Sequence, residues 1–174
     1  MPKILENLRD QLLSEAKKQI AERGYSNTTI RSVASACGIA VGTVYNYFKS
    51  KDMLIATFIL KDWLECIESI SSKSKDNKEE YLRFIHTSLK MFEQKYTTLF
   101  SDKDAKVAFN TAFSERHVQL RSQIAGLISP ICQGKDEFLA EYVAESLLTW
   151  TMAGKSFDEI YPLLPEQIKN KINI

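Results

Sequence analysis

The chain contains few of the residues that interrupt helices. Only six glycines and four prolines occur among its 174 residues, which leaves little room for flexible linkers or for the closely spaced turns of a β-sandwich or β-barrel. No segment alternates apolar and polar residues in the manner of a half-buried strand, and no internal repeat is found. Hydrophobic residues make up 44% of the chain, which is enough for a sizeable core. These features predict an all-α protein.

Cysteine and histidine are scarce as well. Cys37, Cys66 and Cys132 are far apart and have no metal-ligand spacing, so we interpret them as buried thiols in a reducing compartment, with a redox-sensing pair as the alternative. Neither His86 nor His117 has a second ligand at helical spacing. No Ser/His/Asp, Cys/His or paired-carboxylate arrangement is found in the sequence. We therefore expect no metal, no cofactor and no enzymatic activity.

Long apolar runs are absent. The run from Met53 to Leu60 has eight residues and stops at Lys61, far short of a membrane span. The first residues lack the uninterrupted apolar stretch of a signal peptide. We therefore expect a cytoplasmic protein with no membrane partner. Residues 1–55 carry 8 Lys and Arg against 5 Asp and Glu, whereas residues 56–174 carry 15 against 17, so the small positive excess lies at the N-terminal end, as a DNA-contacting surface there requires.

The N-terminal third is predicted to form short helices separated by glycines. A first helix is indicated by apolar residues at spacings of three and four: Leu5, Leu8, Leu12, Ala16 and Ile20. Gly24 follows where a helix needs a left-handed residue to stop. A second, short stripe follows the capping candidates at 26–29 and ends at Gly38, and helical spacing resumes about three residues later and continues to Phe48. Two short helices joined by a tight glycine turn are typical of a helix-turn-helix, although an ordinary αα-hairpin has the same pattern.

The remaining two thirds are also predicted to be helical. A long fourth helix follows Ser50-Lys51-Asp52, and the polar stretch 71–77 is interpreted as the main joint. Further helices are predicted at 81–96, at 107–129 as one or two helices with a break near 114–117, and at 138–150 with an end near Gly154. Pro162 and Pro165 allow only short helical pieces after that. We expect two domains, 1–67 and 68–174.

The residues around the glycine turn resemble a known family. The resemblance is carried by Gly24-Tyr25-x-x-Thr28-Thr29-Ile30-Arg31-x-Val33-Ala34 and by Gly38-Ile39-x-x-Gly42-Thr43-Val44-Tyr45-x-Tyr47-Phe48-x-x-Lys51-Asp52-x-Leu54. These segments are similar to the N-terminal domain of the tetracycline-repressor (TetR) family over residues 5–60. The resemblance implies a three-helix helix-turn-helix DNA-binding domain, with its motif at about 30–49, and a C-terminal helical bundle for ligand binding and dimerisation.

The function implied by the resemblance is that of a sequence-specific transcriptional repressor. Such a protein binds a palindromic double-stranded DNA operator as a homodimer and is released by a small-molecule effector, which the sequence does not identify. The alternative is a protein of the same fold that has lost operator reading and acts through protein–protein contacts. That alternative is motivated by Ala40, where the family usually has a capping Ser or Thr, and by Val41, where a polar residue is frequent.

The resemblance assigns DNA contacts to eight residues: Thr29, Arg31, Gly42, Thr43, Tyr45, Asn46, Tyr47 and Lys51. Gly42 allows close approach of the recognition helix, and Asn46 stands where the family frequently has histidine. The other roles have chemical support: Arg31 and Tyr45 suit base contacts, Thr43 suits a base edge or methyl group, and Thr29, Tyr47 and Lys51 suit phosphates. Thr29 is expected to cap helix two and to offer its hydroxyl and backbone N–H.

Simpler roles remain open for several of these residues. In the alternative interpretation, Thr29 serves only as a helix cap, Arg31 forms an exposed ion pair and Lys51 is a plain surface lysine. For Tyr45 and Tyr47, the alternative to DNA contact is that one of the two packs in the domain core. Phe48 is assigned to the core without an alternative.

The C-terminal part carries the expected effector pocket and dimer interface. An aromatic-lined pocket is predicted at Trp63, Phe84, Phe92, Phe109 and Phe113, with core packing as the alternative for each. The helices near 115–131 and 136–153 are the candidates for the dimer interface, where paired copies form a four-helix bundle. Leu147 and Trp150 are the expected anchors, and packing of these faces within one chain is the alternative.

Overall fold

The protein is described by a computed structural model that covers residues 2–132 and 136–169, with the side chains of all of these except 2–6 and 110–116. Every regular element in those ranges is helical, which confirms the all-α prediction. The α-helices are α1 (Pro2–Arg23), α2 (Ile30–Ala36), α3 (Val41–Tyr47), α4 (Lys51–Ser71), α5 (Lys78–Lys95), α6 (Thr97–Ser101), α7 (Lys103–Ile128), α8 (Glu137–Met152) and α9 (Phe157–Ile160). Short 3-10 turns lie between α7 and α8, at Ser129–Ile131, and after α9, at Tyr161–Leu163 and Glu166–Ile168.

The predicted helix ends are confirmed where the backbone itself marks them. Gly24 and Gly38 follow α1 and α2 with φ values of 78° and 68°, a region that glycine enters without a steric penalty. Gly154, at φ 82°, follows α8 in the same way. The polar stretch 71–77 separates α4, which ends at Ser71, from α5, which begins at Lys78.

The segment at 107–129 was predicted as one or two helices, and the one-helix alternative is confirmed. Residues 103–128 form a single helix with no break near 114–117. The segment there, Ser114 to His117, is polar but contains no glycine or proline, so it interrupts the apolar stripe and leaves the backbone hydrogen bonds intact. The short helix α6 was not predicted, because Thr97–Ser101 is too brief to show a period.

The described chain divides into two compact units. The first contains Met1–Trp63 and Tyr96–Thr111, and the second contains Leu64–Lys95 and Ala112–Ile174. In the first, the segment that starts at Tyr96 is tied to α4 and α1 by a buried carboxylate. Asp62 Oδ2 accepts hydrogen bonds from Tyr96 Oη at 2.5 Å and from Lys17 Nζ at 2.6 Å. The predicted domain boundary at residue 67 stays a prediction.

The second unit is organised around the contact between α5 and α8. Its fully buried side chains include Tyr81, Leu82 and Ile85 on α5 and Val143 and Leu147 on α8. Two of its buried polar side chains have backbone partners: the Tyr81 hydroxyl donates to the carbonyl of Leu127, and His86 Nε2 lies 3.0 Å from the carbonyl of Lys155. No helix within residues 2–132 and 136–169 has the length and apolar character needed to cross a membrane.

Candidate nucleic-acid interface

The turn between α2 and α3 is supported by a small apolar core. Val33, Ala34 and Val44 are fully buried, and Phe48 at the end of α3 is 2% exposed. Gly38 supplies the left-handed turn that brings α2 and α3 into contact. The assignment of Phe48 to the core is therefore confirmed.

The opposite face of α3 is open. Gly42, Tyr45 and Asn46 are exposed, and Thr43 and Tyr47 are half-buried. Because successive helical residues lie about 100° apart, burial of Val44 and Phe48 turns Thr43 and Tyr45 outward. The core alternative does not hold for Tyr45, which is 46% exposed, so its ring is available to a partner. Roles in DNA contact for these residues stay predictions.

A concave groove of about 510 Å³ lies between α2, α3 and the start of α4. It is lined by Thr28, Thr29, Ile30, Arg31, Val41, Tyr45, Lys49, Ser50 and Lys51. The groove brings together four of the eight predicted DNA-contacting residues, and the others lie on α3 outside its lining. Arg31 is exposed and has no ion pair with any residue in the described part of the chain, so the ion-pair alternative for Arg31 is not found there.

Thr29 forms the cap of α2 in a reciprocal arrangement with Ser32. Thr29 Oγ1 accepts from the Ser32 N–H at 3.0 Å, and Ser32 Oγ accepts from the Thr29 N–H at 3.0 Å. The expectation that the Thr29 N–H is open to a phosphate is therefore wrong, because this capping box already uses it. Only the hydroxyl hydrogen of Thr29 remains available.

The buried Gln19 fastens this cap to α1, a role that sequence reasoning missed. Gln19 is 1% exposed, and its amide accepts from Ser32 Oγ at 2.6 Å while donating to the Ser32 carbonyl at 3.2 Å. Its position offered a signal, since residue 19 lies three residues after Ala16 on the buried side of α1. A polar side chain at such a position needs a buried partner.

Lys51 is bound to the turn after α1. Its Nζ donates to the Tyr25 carbonyl at 3.0 Å and lies 3.5 Å from the centre of the Tyr25 ring. Burial lowers the pKa of Lys51, and the carboxylates of Asp52, Asp102 and Asp104 act in the opposite direction. The Tyr25 hydroxyl in turn donates to Asp52 Oδ1 at 2.5 Å. The surface-lysine alternative is therefore wrong, and the phosphate role of Lys51 stays a prediction.

The missing cap on the recognition helix is confirmed. Ala40 occupies the N-cap position of α3 with extended backbone and makes no side-chain hydrogen bond. Ala40→Ser should raise the free energy of unfolding by about 1 kcal/mol, because the hydroxyl would satisfy a free N–H of the first turn. Thermal denaturation measures this, with Ala36→Ser on α2 as the control that adds the same hydroxyl without a capping position. An unchanged or lower melting temperature for Ala40→Ser would contradict the expectation.

The predicted C-terminal residues are spread over both units. Trp63 and Phe109 are buried in the first, Phe84 and Phe92 are half-buried in the second, and the side chain of Phe113 lies outside those described. The pocket stays a prediction.

The two predicted dimer anchors differ in exposure. Leu147 is fully buried in the second unit and is a core residue, which removes it as an anchor, whereas Trp150 is 47% exposed. A second groove, of about 420 Å³, is lined by Tyr142, Ser146, Trp150, Lys155, Glu159, Ile160, Leu163 and Leu164.

Comparison with known proteins places the interface within a recognised domain. Residues 12–57 match the family of bacterial regulatory proteins of the tetR type. Over 57 residues, 33% of this chain, the sequence is 40% identical to the transcriptional repressor KstR2 of Mycolicibacterium smegmatis, and this match spans only 27% of that protein. A longer match, 22% identical, covers 92% of this chain and 95% of the fatty acid metabolism regulator protein of Bacillus subtilis.

The fold agrees with these matches. The crystal structure of the regulator FadR from Bacillus subtilis in complex with stearoyl-CoA covers 94% of this chain and 98% of its own, with a TM-score of 0.51 and 20% identity. The groove between α2, α3 and α4 lies entirely inside the matched residues 12–57. Residues 12–57 of the chain therefore form an N-terminal domain of the kind found in bacterial regulatory proteins of the tetR family.

Proposed function

We propose that the chain is a homodimeric transcriptional repressor that binds a palindromic DNA operator and is released by a small-molecule effector. The observation that carries the proposal is the division of α3 into a buried face and an open face beside a groove. Val44 and Phe48 hold the helix in place, while Tyr45 and Arg31 remain free to meet DNA.

The open face has the chemistry for reading a major groove. Arg31 offers a planar fork that suits the O6 and N7 acceptors of guanine, and Thr43 offers a hydroxyl and a methyl group. Gly42 has nothing within 4 Å of the position where a side chain would begin, so DNA can approach α3 closely at this point. Direct readout of DNA therefore explains this surface better than protein contact alone does.

A second copy is needed to read both halves of a palindrome, and α8 offers a surface for it. Phe138, Tyr142, Ser146 and Trp150 recur at every fourth position on α8, and the three aromatic side chains are between 47% and 77% exposed. Exposed apolar stripes of this kind mark protein–protein contacts. On α7, Val118 is also 55% exposed, which supports a four-helix bundle formed by α7, α8 and their symmetry mates.

The relatives point to a class of effector. The match that covers most of the chain is the fatty acid metabolism regulator of Bacillus subtilis, and the regulator FadR of that organism was crystallised with stearoyl-CoA. We therefore propose a long-chain acyl-CoA ester as the effector of this chain. By linkage, an effector that lowers operator affinity by a given factor must itself bind the operator complex more weakly by the same factor.

Fluorescence anisotropy with the DNA upstream of the protein's own gene tests both operator binding and release by the effector. We expect much tighter binding to that duplex than to a shuffled duplex of equal length and composition, and release on adding stearoyl-CoA but not free CoA. Equal binding to both duplexes would reject operator reading and favour the protein-contact alternative. Tight specific binding that stearoyl-CoA does not change would reject the acyl-CoA effector alone.

A further inference from the structure

We infer that Gln19 is a positioning residue for operator reading: its buried amide fixes α2 on α1 and thereby sets the position from which Arg31 reaches DNA. This inference rests on the proposed function and deepens it, because it assigns a determinant of base discrimination that lies behind the DNA-facing surface. All the residues that carry it belong to the first compact unit.

Gln19 places a polar side chain at a core position of α1. It is 1% exposed, and Ala16 and Ile20 on the same side of the helix are buried and apolar. Burial of an amide costs free energy unless its polar atoms are hydrogen-bonded. The carbonyl oxygen and the amino group of the Gln19 amide both have partners, so the side chain is held in one orientation.

The hydrogen bonds of this amide join two helices. Gln19 Nε2 donates to Glu15 Oε1 at 2.7 Å, one turn earlier on α1. The same nitrogen donates to the Ser32 carbonyl at 3.2 Å, and Gln19 Oε1 accepts from Ser32 Oγ at 2.6 Å. The amide is therefore fixed to its own helix and binds both the backbone and the side chain of one residue in the first turn of α2.

The apolar contacts of α2 do not set its orientation alone. The helix has seven residues, and its buried side chains are those of Ile30, Val33 and Ala34. Burial of apolar surface has no directional preference, whereas a hydrogen bond weakens steeply when its angle changes. The two hydrogen bonds to Ser32 therefore resist rotation and sliding of α2 against α1 in a way that these apolar side chains do not.

Arg31 is the residue on which such a rotation acts most strongly. It directly precedes Ser32, is exposed and lines the groove beside α3. A two-pronged contact with a guanine edge needs the guanidinium to lie in the plane of the base, and a small rotation of the helix is amplified at the end of a long side chain. Arg31 makes no ion pair with a described residue, so the orientation of α2 is what directs it.

Gln19→Met tests the inference, since methionine is similar in length and volume and removes the hydrogen bonds of the amide. The Ser32 hydroxyl keeps an acceptor, because the Thr29 carbonyl lies 2.9 Å from Ser32 Oγ, so the melting temperature should stay close to that of the wild type. At a temperature where circular dichroism shows a folded protein, the ratio of the affinities for the operator and for a shuffled duplex should fall about tenfold, as for one lost base contact. Gln11→Met, at an exposed position of α1, is the matched control and should leave this ratio unchanged.

A double-mutant cycle shows whether Gln19 acts through Arg31. In the Arg31→Ala background, Gln19→Met should have little further effect on the affinity ratio, because the side chain that it positions is gone. Residues that act independently give additive effects on the free energy of binding. The same tenfold loss in both backgrounds would therefore overturn the inference.

Ser32→Ala changes the same hydrogen bonds from the side of α2 and keeps the test decisive if Gln19→Met does not fold. It removes one of the two bonds between Ser32 and the amide, so the affinity ratio should fall, but by less than for Gln19→Met. An unchanged ratio in the folded variants, with only the melting temperature lowered, would show that Gln19 supports stability alone and would overturn the inference. If the wild-type protein binds the operator and the shuffled duplex equally, the proposed function fails and the inference falls with it.

Discussion

Trp150→Glu should convert the protein into a folded monomer that binds its operator far more weakly. Trp150 is half-exposed on the stripe of α8, so a glutamate there meets water in the single chain. In a dimer joined along this stripe the same carboxylate would be buried without a partner, at a cost of several kcal/mol. The monomer would then occupy one half-site at a time and lose the contribution of the second. Sedimentation velocity, circular dichroism and operator affinity on the same preparation measure the three effects.

Leu147→Glu provides the contrast on the same helix. Leu147 is fully buried in the second unit, so the charge would enter the core and destabilise folding rather than association. We expect lost helicity and a lower melting temperature, not a folded monomer. Met91→Glu on α5, where the methionine is 65% exposed, controls for adding a glutamate at an exposed apolar position of the same unit. A folded dimer for Trp150→Glu would place the interface elsewhere.

The helix ends and the two faces of α3 were predictable because they are local properties. A glycine with positive φ ends α1 and α2, and the 3.6-residue period decides which side chains of α3 lie with Val44. Neither property depends on residues distant in the chain. The same reasoning explains why Thr29 was identified as a cap, since an N-cap is defined by contacts within one turn.

The surroundings of Lys51 and Leu147 were not predictable in this way. Lys51 binds Tyr25, which lies 26 residues earlier, and no periodicity encodes that pairing. On α8, apolar side chains occupy two faces, since Val143 and Leu147 are buried while Tyr142 and Trp150 are exposed. The sequence pattern shows that both faces are apolar but does not show which one packs inside the chain. Tertiary contacts decide that question.

Truncation of the open face of α3 should separate DNA binding from stability. Tyr45→Ala, Thr43→Ala and Arg31→Ala should each weaken operator binding by about 1–3 kcal/mol per lost base contact. Tyr45 and Arg31 are exposed, so their removal should leave the melting temperature nearly unchanged. Arg31→Ala should also relax the preference at one base pair. Tyr45→Phe distinguishes the roles of the ring and the hydroxyl, since it removes only the hydroxyl.

Val44→Ala should show the reverse pattern. Val44 is fully buried between α3 and its neighbours, so its truncation removes apolar contacts and leaves a cavity that costs roughly 2 kcal/mol of folding stability. Operator binding should weaken only as far as the folded fraction falls, and it should recover at a temperature well below the transition. The melting temperatures of all the variants, together with their operator affinities at that low temperature, decide which face of α3 contacts DNA. One outcome would contradict this assignment: Val44→Ala alone loses binding in the folded state, while Tyr45→Ala and Arg31→Ala bind like the wild type. The exposed residues would then contribute nothing to operator affinity, and the face of α3 turned toward DNA would have been assigned wrongly.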